Sequence, residues 1–341
     1  MLHETTCEDV PTKRKVIRLK EMKKEMKTLA QEIIDGRRLG AQDDYTYFLD
    51  APFKELQQGA DDIRRALCGD KVNLCTIING RSGRCSENCK YCAQAGCYQT
   101  KIEEYPMLPP EEVVEDGKKR ERDGVHRYSI VTAGRGLHGE DFAMACEAYR
   151  RLKEETGLEL CASHGLLSEE EVRQLKKAGV SNYHCNIETS RRFFPEICTT
   201  HTFDDNIEQI RRAQEAGLHV CSGGIIGMGE TFEDRVDMAL TLQELGVKSI
   251  PINVLVPIPG TPLADMPLLG QEEILRTIAM FRYVNPDAYI RMAAGRNRFP
   301  SGGRELFQFG CNATITGDML TTTGNNTAMD KEMFAGLGFI M

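Results

Sequence analysis

The sequence predicts an α/β protein, a closed TIM-type (β/α)8 barrel with an N-terminal helical extension. Two observations support this fold class. Short β-rich runs alternate with amphipathic stretches beyond residue 71, a pattern typical of parallel strands joined by helices. Eight such units fit one barrel, and 341 residues with 41% apolar side chains suffice for its core. In this fold the chemistry lies at the C-terminal ends of the strands.

The chain divides into two predicted parts. Residues 1–45 form a polar N-terminal extension that carries one helix, 15–35, and residues 46–341 form the barrel domain. A second helix, 48–67, precedes the first strand. The eight predicted strands are 72–80, 127–134, 158–165, 180–188, 219–227, 248–256, 289–295 and 311–318. The helices predicted between them include 111–123, 141–156, 168–178, 232–245 and 271–283.

Composition and charge exclude several functional classes. A net charge of -8 argues against general nucleic-acid binding. The chain has no apolar run long enough for a membrane span, and its charged N-terminus lacks the apolar core of a signal peptide, so a cytoplasmic protein is expected. Thirteen cysteines in such a chain indicate metal or redox chemistry in a reducing compartment rather than disulfides.

A cysteine triplet follows the first predicted strand. Cys85, Cys89 and Cys92 have the spacing CxxxCxxC, with Tyr91 directly before the last cysteine. Three thiolates on one loop can each bind a different iron of a cubane, which leaves the fourth iron open to a small molecule. The alternative is a structural zinc site, but such sites usually close with a fourth Cys or His. The spacing resembles the signature of radical S-adenosylmethionine (SAM) enzymes.

Three more cysteines lie inside consecutive predicted strands. Cys161, Cys185 and Cys221 fall in the third, fourth and fifth strands. Because neighbouring strands are about 4.8 Å apart, three thiols that face the barrel interior can hold one metal cluster. Taken singly, each is explained as a small apolar core residue, which is also the prediction for Cys75, but their occurrence on three adjacent strands favours a shared role over coincidence. Cys198, after the fourth strand, is a spare candidate ligand.

Five blocks of sequence beyond the triplet resemble biotin synthases. The blocks are C-S-E-N-C-K-Y-C-A-Q (85–94), N-I-E-T-S (186–190) with T-T-H-T-F-D-D (199–205), V-C-S-G-G-I-I-G-M-G-E-T (220–231), S-I-P-I-N-V-L (249–255) with G-T-P-L (260–263), and I-R-M-A-A-G-R (290–296). The resemblance implies a sulfurtransferase that uses 5'-deoxyadenosyl radicals from SAM to insert sulfur between C6 and C9 of dethiobiotin. It further implies a 4Fe-4S cluster, an auxiliary iron-sulfur cluster that supplies sulfide, a flavodoxin or ferredoxin-type electron donor, and a homodimer.

The resemblance also implies roles for individual residues. Asn186 and Glu188 match positions that contact SAM and its ribose, where a carboxylate suits paired hydroxyls. Tyr91 and Ile225 match the cofactor site as well. Asn186 and Asn253 match residues that bind the ureido ring of the substrate, because an amide both donates and accepts hydrogen bonds. Asn253 is alternatively explained as an amide that satisfies backbone groups.

The sequence departs from the family pattern at three positions. Ser129 stands where the second strand usually carries a cysteine ligand, and Cys185 stands where a histidine is usual, while Arg291 matches the usual arginine ligand. The ligand set expected here is therefore Cys161, Cys185, Cys221 and Arg291. Three thiolates favour a four-iron auxiliary cluster, 4Fe-4S or 4Fe-5S, over 2Fe-2S. A removable sulfide on such a cluster suits an anaerobic enzyme. Asn206 replaces an arginine that usually binds the cofactor carboxylate.

Two other functions compete with this prediction. The first is another radical SAM enzyme of similar architecture, related to hydrogenase maturases or methylornithine synthase, that uses no sacrificial cluster. The second is a non-enzymatic electron carrier or iron-sulfur scaffold. The strand cysteines argue against the first, and a complete barrel with substrate-type asparagines argues against the second. Activity on dethiobiotin separates the main prediction from both alternatives.

Overall fold

The chain forms a closed barrel of parallel strands surrounded by helices, which confirms the predicted fold class. The computed structural model describes residues 26–317, 320 and 325–341. The strands are β1 (Asn73–Arg81), β2 (Arg127–Thr132), β3 (Glu159–Ser163), β4 (Asn182–His184), β5 (His219–Cys221), β6 (Gly224–Ile226), β7 (Ser249–Val254), β8 (Tyr289–Met292) and β9 (Ala313–Ile315). Their order around the barrel is β5-β4-β3-β2-β1-β9-β8-β7-β6, and β5 also pairs with β7, which closes the ring.

The fifth predicted strand is divided into β5 and β6, so nine strand segments occupy eight barrel positions. The division falls at Ser222 and Gly223, between two short segments that both pair with β7. A Cβ at Gly223 would lie 1.8 Å from the Pro251 carbonyl oxygen, and one at Gly224 would lie 2.3 Å from that of Glu188. Only glycine allows the backbones of adjacent strands to approach so closely.

Twelve α-helices of the described residues cover the barrel and its ends. They are α1 (26–34), α2 (Tyr47–Asp50), α3 (Phe53–Cys68), α4 (Pro110–Arg122), α5 (Gly139–Glu155), α6 (Glu169–Lys177), α7 (Phe194–Ile197), α8 (Phe203–Glu215), α9 (Phe232–Glu244), α10 (Gln271–Val284), α11 (Arg304–Gln308) and α12 (Thr327–Gly336). None of the described helices is long and apolar enough to span a membrane.

The helices before the first strand differ from the prediction. The predicted helix 48–67 is two helices, α2 and α3, because Pro52 lacks a backbone N–H and restricts the residue before it. The predicted helix 15–35 lies partly outside the described residues, and α1 is its described portion. Met26 and Ile33 of α1 are buried in the main hydrophobic cluster, so this segment packs on the barrel domain.

Three helices that follow site-bearing loops begin with capping boxes. Ser168 with Glu171, Thr202 with Asp205, and Thr231 with Asp234 each exchange hydrogen bonds between side chain and backbone at the N-termini of α6, α8 and α9. A capping box satisfies two otherwise free N–H groups and fixes where the helix begins. The loops that lead from the strand ends into these helices are therefore anchored at one end by the helix and at the other by the barrel.

Candidate active site

A cavity of about 390 Å³ runs from the C-terminal mouth of the barrel into its interior. Cys85 and Cys92 line it at the mouth, and Cys161, Cys221 and Arg291 line it deeper in the barrel. In most barrels of this type, layers of bulky branched side chains fill this space. Small side chains on several strands leave it open here, so the barrel interior has room for bound groups.

The cysteine triplet lies on the loop after β1. The loop folds back on itself: Cys85 N–H donates to the Gln94 carbonyl at 3.0 Å, and Gly96 N–H donates to the Cys85 carbonyl at 2.8 Å. All three cysteines are partly exposed. Within the described part of the chain their thiols do not form a group of metal ligands within 4.8 Å of one another. Ligands of one tetrahedral zinc ion must lie that close together, whereas thiolates that bind separate irons need not.

Cys198, the spare candidate ligand, lies beside the triplet and not beside the strand cysteines. Its Sγ is 3.7 Å from Cys89 Sγ and 3.2 Å from His201 Nδ1. Glu87, which is buried, holds His201 through a contact of 2.5 Å between the carboxylate and Nδ1. Cys89, Cys198 and His201 form the one group of three candidate metal ligands within 4.8 Å of one another among the described residues.

The predicted SAM contacts line the cavity near the triplet. Tyr91, Asn186, Glu188 and Ile225 all face it. Asn186 Oδ1 accepts a hydrogen bond from Gly223 N–H at 3.0 Å, and its Nδ2 donates to Glu188 at 3.3 Å. Glu188 has a φ of +66°, a left-handed conformation that is rare for a residue with a side chain. Burial raises the pKa of Glu188, against the opposing influence of His184.

An apolar wall stands next to these polar groups. Tyr91 and Ile225 pack against a small hydrophobic cluster formed by Ile197, Met228, Leu255 and Leu263. A flat ring can pack against such a surface while the polar groups opposite bind hydroxyls. The mouth of the cavity therefore has the mixed character that a nucleoside requires.

Asn253, the predicted substrate contact, lines the cavity at the end of β7. Its Nδ2 donates to the Gly224 carbonyl at 3.3 Å, and its Oδ1 accepts from Ala294 N–H at 3.1 Å. The side chain therefore bridges β6 and the end of β8 and also faces the cavity. An amide has two N–H donors and two acceptor lone pairs, so one of each remains for a ligand.

Cys161 and Cys221 face the cavity as predicted, but the prediction that Cys185 joins them is wrong. Cys185 lies in the hydrophobic cluster outside the strands, with its Sγ 4.0 Å from the Asn206 carbonyl oxygen of α8. Its chain neighbour His184 lines the cavity instead. Successive side chains of an extended strand point to opposite faces, so inward His184 and Asn186 require outward Cys185.

Three residues that the sequence prediction missed also line the interior. Cys75 on β1, Arg127 on β2 and His184 on β4 face the cavity together with Ser129. Cys75, predicted to be a filler, is 5% exposed and stands opposite Arg127 in the strand register. Ile77, two residues away on the same strand, also lines the cavity, as period-two alternation requires once Cys75 faces inward.

Two arginines make the interior of the cavity positive. Arg127 pairs with Glu159 at 2.9 Å, whereas Arg291, 1% exposed, has the neutral partners Asn73 and Thr314 among the described residues. The Nε of Arg291 is buried and has no hydrogen-bond partner within the described part of the chain. A buried charge without a counter-ion is costly. An iron-sulfur cluster bound by thiolates supplies that negative charge, so the residues present fit such a group.

The interior thiols differ in their electrostatic environment. Burial raises the pKa values of Cys75 and Cys161, although nearby guanidinium groups oppose it. Burial also acts against the thiolate of Cys221, but His184 and Arg291 outweigh it and lower the pKa of Cys221. Ser249 Oγ donates to Cys221 Sγ at 3.3 Å. Cys221 is thus the interior thiol whose surroundings favour the deprotonated form.

Comparison with protein families identifies the class. Residues 81–242 match the Radical SAM superfamily, and residues 251–340 match the Biotin and Thiamin Synthesis associated domain. The first match covers the cysteine triplet and the strands that carry Cys161 and Cys221. The fold and the site therefore define a radical SAM enzyme.

Curated relatives narrow the class further. The biotin synthase of Clostridium beijerinckii is 61% identical over 314 residues, which span 92% of this chain and 99% of the relative. The biotin synthase of Alkaliphilus metalliredigens is 60% identical over 315 residues with the same coverage. The chain therefore belongs to the biotin synthase family, which confirms the resemblance found in the sequence. Membership implies a 4Fe-4S cluster, SAM and an auxiliary iron-sulfur cluster.

Solved structures support the fold alone. Methylornithine synthase superposes with a TM-score of 0.80 at 19% identity, covering 91% of this chain and 96% of that protein. The FeFe-hydrogenase maturase from Carboxydothermus hydrogenoformans has a TM-score of 0.74 at 17% identity, covering 96% and 82%. At such identities the shared barrel carries no information about substrate.

Proposed function

We propose that this chain inserts sulfur between C6 and C9 of dethiobiotin. Its place in the biotin synthase family supports this activity. The structural observation that carries the proposal is one continuous cavity with cysteines at both ends. Cys85 and Cys92 of the loop triplet stand at the mouth, the strand thiols lie inside, and Asn186 and Asn253 line the space between.

When bound at these sites, SAM and the first cluster would supply radical chemistry for removing hydrogen from dethiobiotin, and the auxiliary cluster would supply the sulfide. The chain contributes ligands, orientation and exclusion of water. Cys85, Cys89 and Cys92 are the proposed ligands of the first cluster, because three thiolates leave one iron open for SAM. The barrel wall separates this site from solvent, which limits side reactions of a radical.

The proposed SAM contacts divide into a polar and an apolar side. Glu188 accepts hydrogen bonds from the ribose hydroxyls, and Asn186 holds Glu188 in place at 3.3 Å. Tyr91 and Ile225 provide the surface on which the adenine packs. The positive φ of Glu188 fits a residue that its surroundings hold in one functional orientation.

The proposed substrate contacts are the two asparagines. Asn186 and Asn253 are each fixed by a backbone N–H, from Gly223 and Ala294 respectively. Each retains hydrogen-bonding capacity toward the cavity, and a ureido ring both donates and accepts. These contacts would place dethiobiotin between the two ends of the cavity.

The proposed partners follow from the same chemistry. Reduction of the first cluster requires an electron donor, and a flavodoxin or ferredoxin-type protein fits the family. A homodimer is proposed on the same basis. Every described cysteine is a free thiol, which is consistent with a reducing cytoplasm.

The test is an anaerobic assay of the protein reconstituted with iron and sulfide. With SAM, dethiobiotin and a low-potential reductant, we expect biotin and 5'-deoxyadenosine in a ratio near one to two, measured by mass spectrometry. Abundant 5'-deoxyadenosine without any biotin would refute dethiobiotin as the substrate. Absence of both products from protein with a full complement of iron would refute the radical SAM assignment.

A further inference from the structure

Three thiols and one guanidinium occupy alternate positions around the barrel. Cys75 is on β1, Cys161 on β3, Cys221 on β5 and Arg291 on β8, which are the first, third, fifth and seventh of the eight barrel positions. All four side chains line the cavity. In a barrel of this type each interior layer takes four side chains from alternate strands. The pattern therefore suggests that these four residues form one layer.

The strand register confirms a single layer. Cys75 pairs with Arg127 on β2, and Arg127 pairs with Glu159 on β3. Cys161 lies two residues after Glu159 on the same strand. The same step from Cys161, through Asn182 and His219, leads to Cys221.

The two remaining steps close the ring. From Cys221 the register runs through Ser249 and Tyr289 to Arg291, again two residues further along. From Arg291 it runs through Ala313 and Asn73 back to Cys75. Four equal steps match the shear of about eight that such barrels have.

The two other candidate ligands do not belong to this layer. Ser129 stands opposite Cys161 on β2, one of the even positions, and its hydroxyl is a poor ligand for iron. Cys185 points out of the barrel toward α8. Only Cys75 supplies a third thiol at the level of Cys161 and Cys221 among the described residues that line the cavity.

We propose that Cys75, Cys161 and Cys221 are the three thiolate ligands of the auxiliary cluster, with Arg291 as the fourth member of the layer. The proposal rests on the proposed function, since it assumes that an auxiliary cluster is present. Three thiolates match a four-iron cluster with one iron that lacks a cysteine ligand. Arg291, whose buried Nε has no partner among the residues that the structure describes, faces the same layer and offsets the negative charge of the thiolates.

The test isolates the auxiliary cluster in a variant without the loop triplet, Cys85→Ala/Cys89→Ala/Cys92→Ala. After anaerobic reconstitution, iron and sulfide are counted and Mössbauer spectra are recorded. Cys75→Ser and Cys185→Ser are then compared in this background. Cys185→Ser is the matched control for Cys75→Ser, because both thiols are buried and both lie on a barrel strand or its extension. We expect Cys75→Ser to lose most of the remaining iron and Cys185→Ser to keep it.

A rescue variant separates loss of a ligand from loss of the fold. Ser129→Cys is added to Cys75→Ser, which places a thiol on the strand between β1 and β3, within the same cavity. We expect iron to return. Iron retained in Cys75→Ser, or lost equally in Cys75→Ser and Cys185→Ser, would overturn the proposal. If the triplet variant itself binds no iron, the auxiliary cluster is absent and the proposed function fails with it.

Discussion

The two sets of cysteines are held in different ways. Cys85, Cys89 and Cys92 lie on one loop, are partly exposed, and stand within eight residues of one another in the sequence. Cys75, Cys161 and Cys221 are buried on three strands, and the barrel register brings them together. The spacing of a loop motif can be recognised in a sequence, whereas a set assembled by register requires the fold. The loop set faces the mouth, where SAM must enter, and the strand set lies where a sulfur donor stays protected.

The largest effect is expected from removal of a loop thiolate. Cys89→Ala should abolish 5'-deoxyadenosine formation, because a cluster held by two thiolates neither remains intact nor leaves a defined open iron. The strand set should keep its iron in this variant. Cys97→Ala is the control, since Cys97 is exposed and lies five residues past the triplet. Formation of 5'-deoxyadenosine by Cys89→Ala at the wild-type rate would remove the loop set from the mechanism.

A smaller effect is expected at the polar wall of the mouth. Glu188→Ala should weaken SAM binding by about 1.5–3 kcal/mol, the usual contribution of hydrogen bonds to a charged group. Equilibrium dialysis of SAM against reconstituted protein measures the change. Glu196→Ala, an exposed position on α7, should bind SAM normally. Unchanged affinity in Glu188→Ala would mean that the carboxylate does not contact the cofactor.

The next prediction concerns Asn253, which lines the cavity between the two cysteine sets. Asn253→Ala should weaken dethiobiotin binding by about 1–3 kcal/mol, because a buried polar partner is lost, while slow uncoupled formation of 5'-deoxyadenosine persists. Isothermal titration of dethiobiotin in the presence of SAM measures the affinity. Since Asn253 also bridges Gly224 and Ala294, normal binding in the variant would assign it to that structural role alone.

The smallest effect is expected on the free energy of unfolding and concerns His164, which contacts Cys161 through Tyr149. His164 is fully buried between Thr132 and Tyr149, and Tyr149 also donates to the Cys161 carbonyl at 3.1 Å. Burial, with a contribution from Arg81, lowers the pKa of His164 from 6.5 to about 3. The unfolded chain therefore takes up a proton below about pH 6.5 that the folded chain does not, and the free energy of unfolding falls as the pH falls.

This dependence can be measured by urea denaturation. Between about pH 6.5 and about pH 5.5 His164 should account for a loss of about 1 kcal/mol. His164→Gln keeps hydrogen-bonding groups but does not titrate, so its stability should fall by that much less over the same range. Identical pH dependence in the two proteins would show that His164 takes up a proton as readily in the folded state as in the unfolded state, and that its pKa is not lowered.

The sequence predicted the barrel and the loop triplet but not the membership of the strand set. Strands of a parallel barrel are buried on both faces, so apolar alternation does not show which face is inward. The sequence prediction therefore places the Cys185 side chain inside the barrel, together with its near neighbours Asn186 and Glu188. Successive side chains of a strand point to opposite faces, so Cys185 and Asn186 cannot both face inward. The same alternation places His184 inside the barrel with Asn186.

Two of the remaining differences also depend on separate segments of the chain, whereas the third is local. Cys75 resembles a buried core residue in the sequence. Its alignment with Cys161, Cys221 and Arg291 depends on the pairing of separate strands, which no local pattern shows. The break of the fifth strand at Gly223 depends on the close approach of Pro251, a contact between separate segments. The division of the predicted helix 48–67 into two helices could have been predicted from local sequence alone, since Pro52 marks the interruption.

We propose that two separate cysteine sets each hold a four-iron cluster in one cavity. Iron counting with Mössbauer spectroscopy tests it most directly, on the wild-type protein and on two triple alanine variants, one without each set. We expect about eight irons in the wild type, about four in each variant, and four-iron signals throughout. A two-iron signal in the wild type, or full iron in the variant that lacks Cys75, Cys161 and Cys221, would contradict the claim.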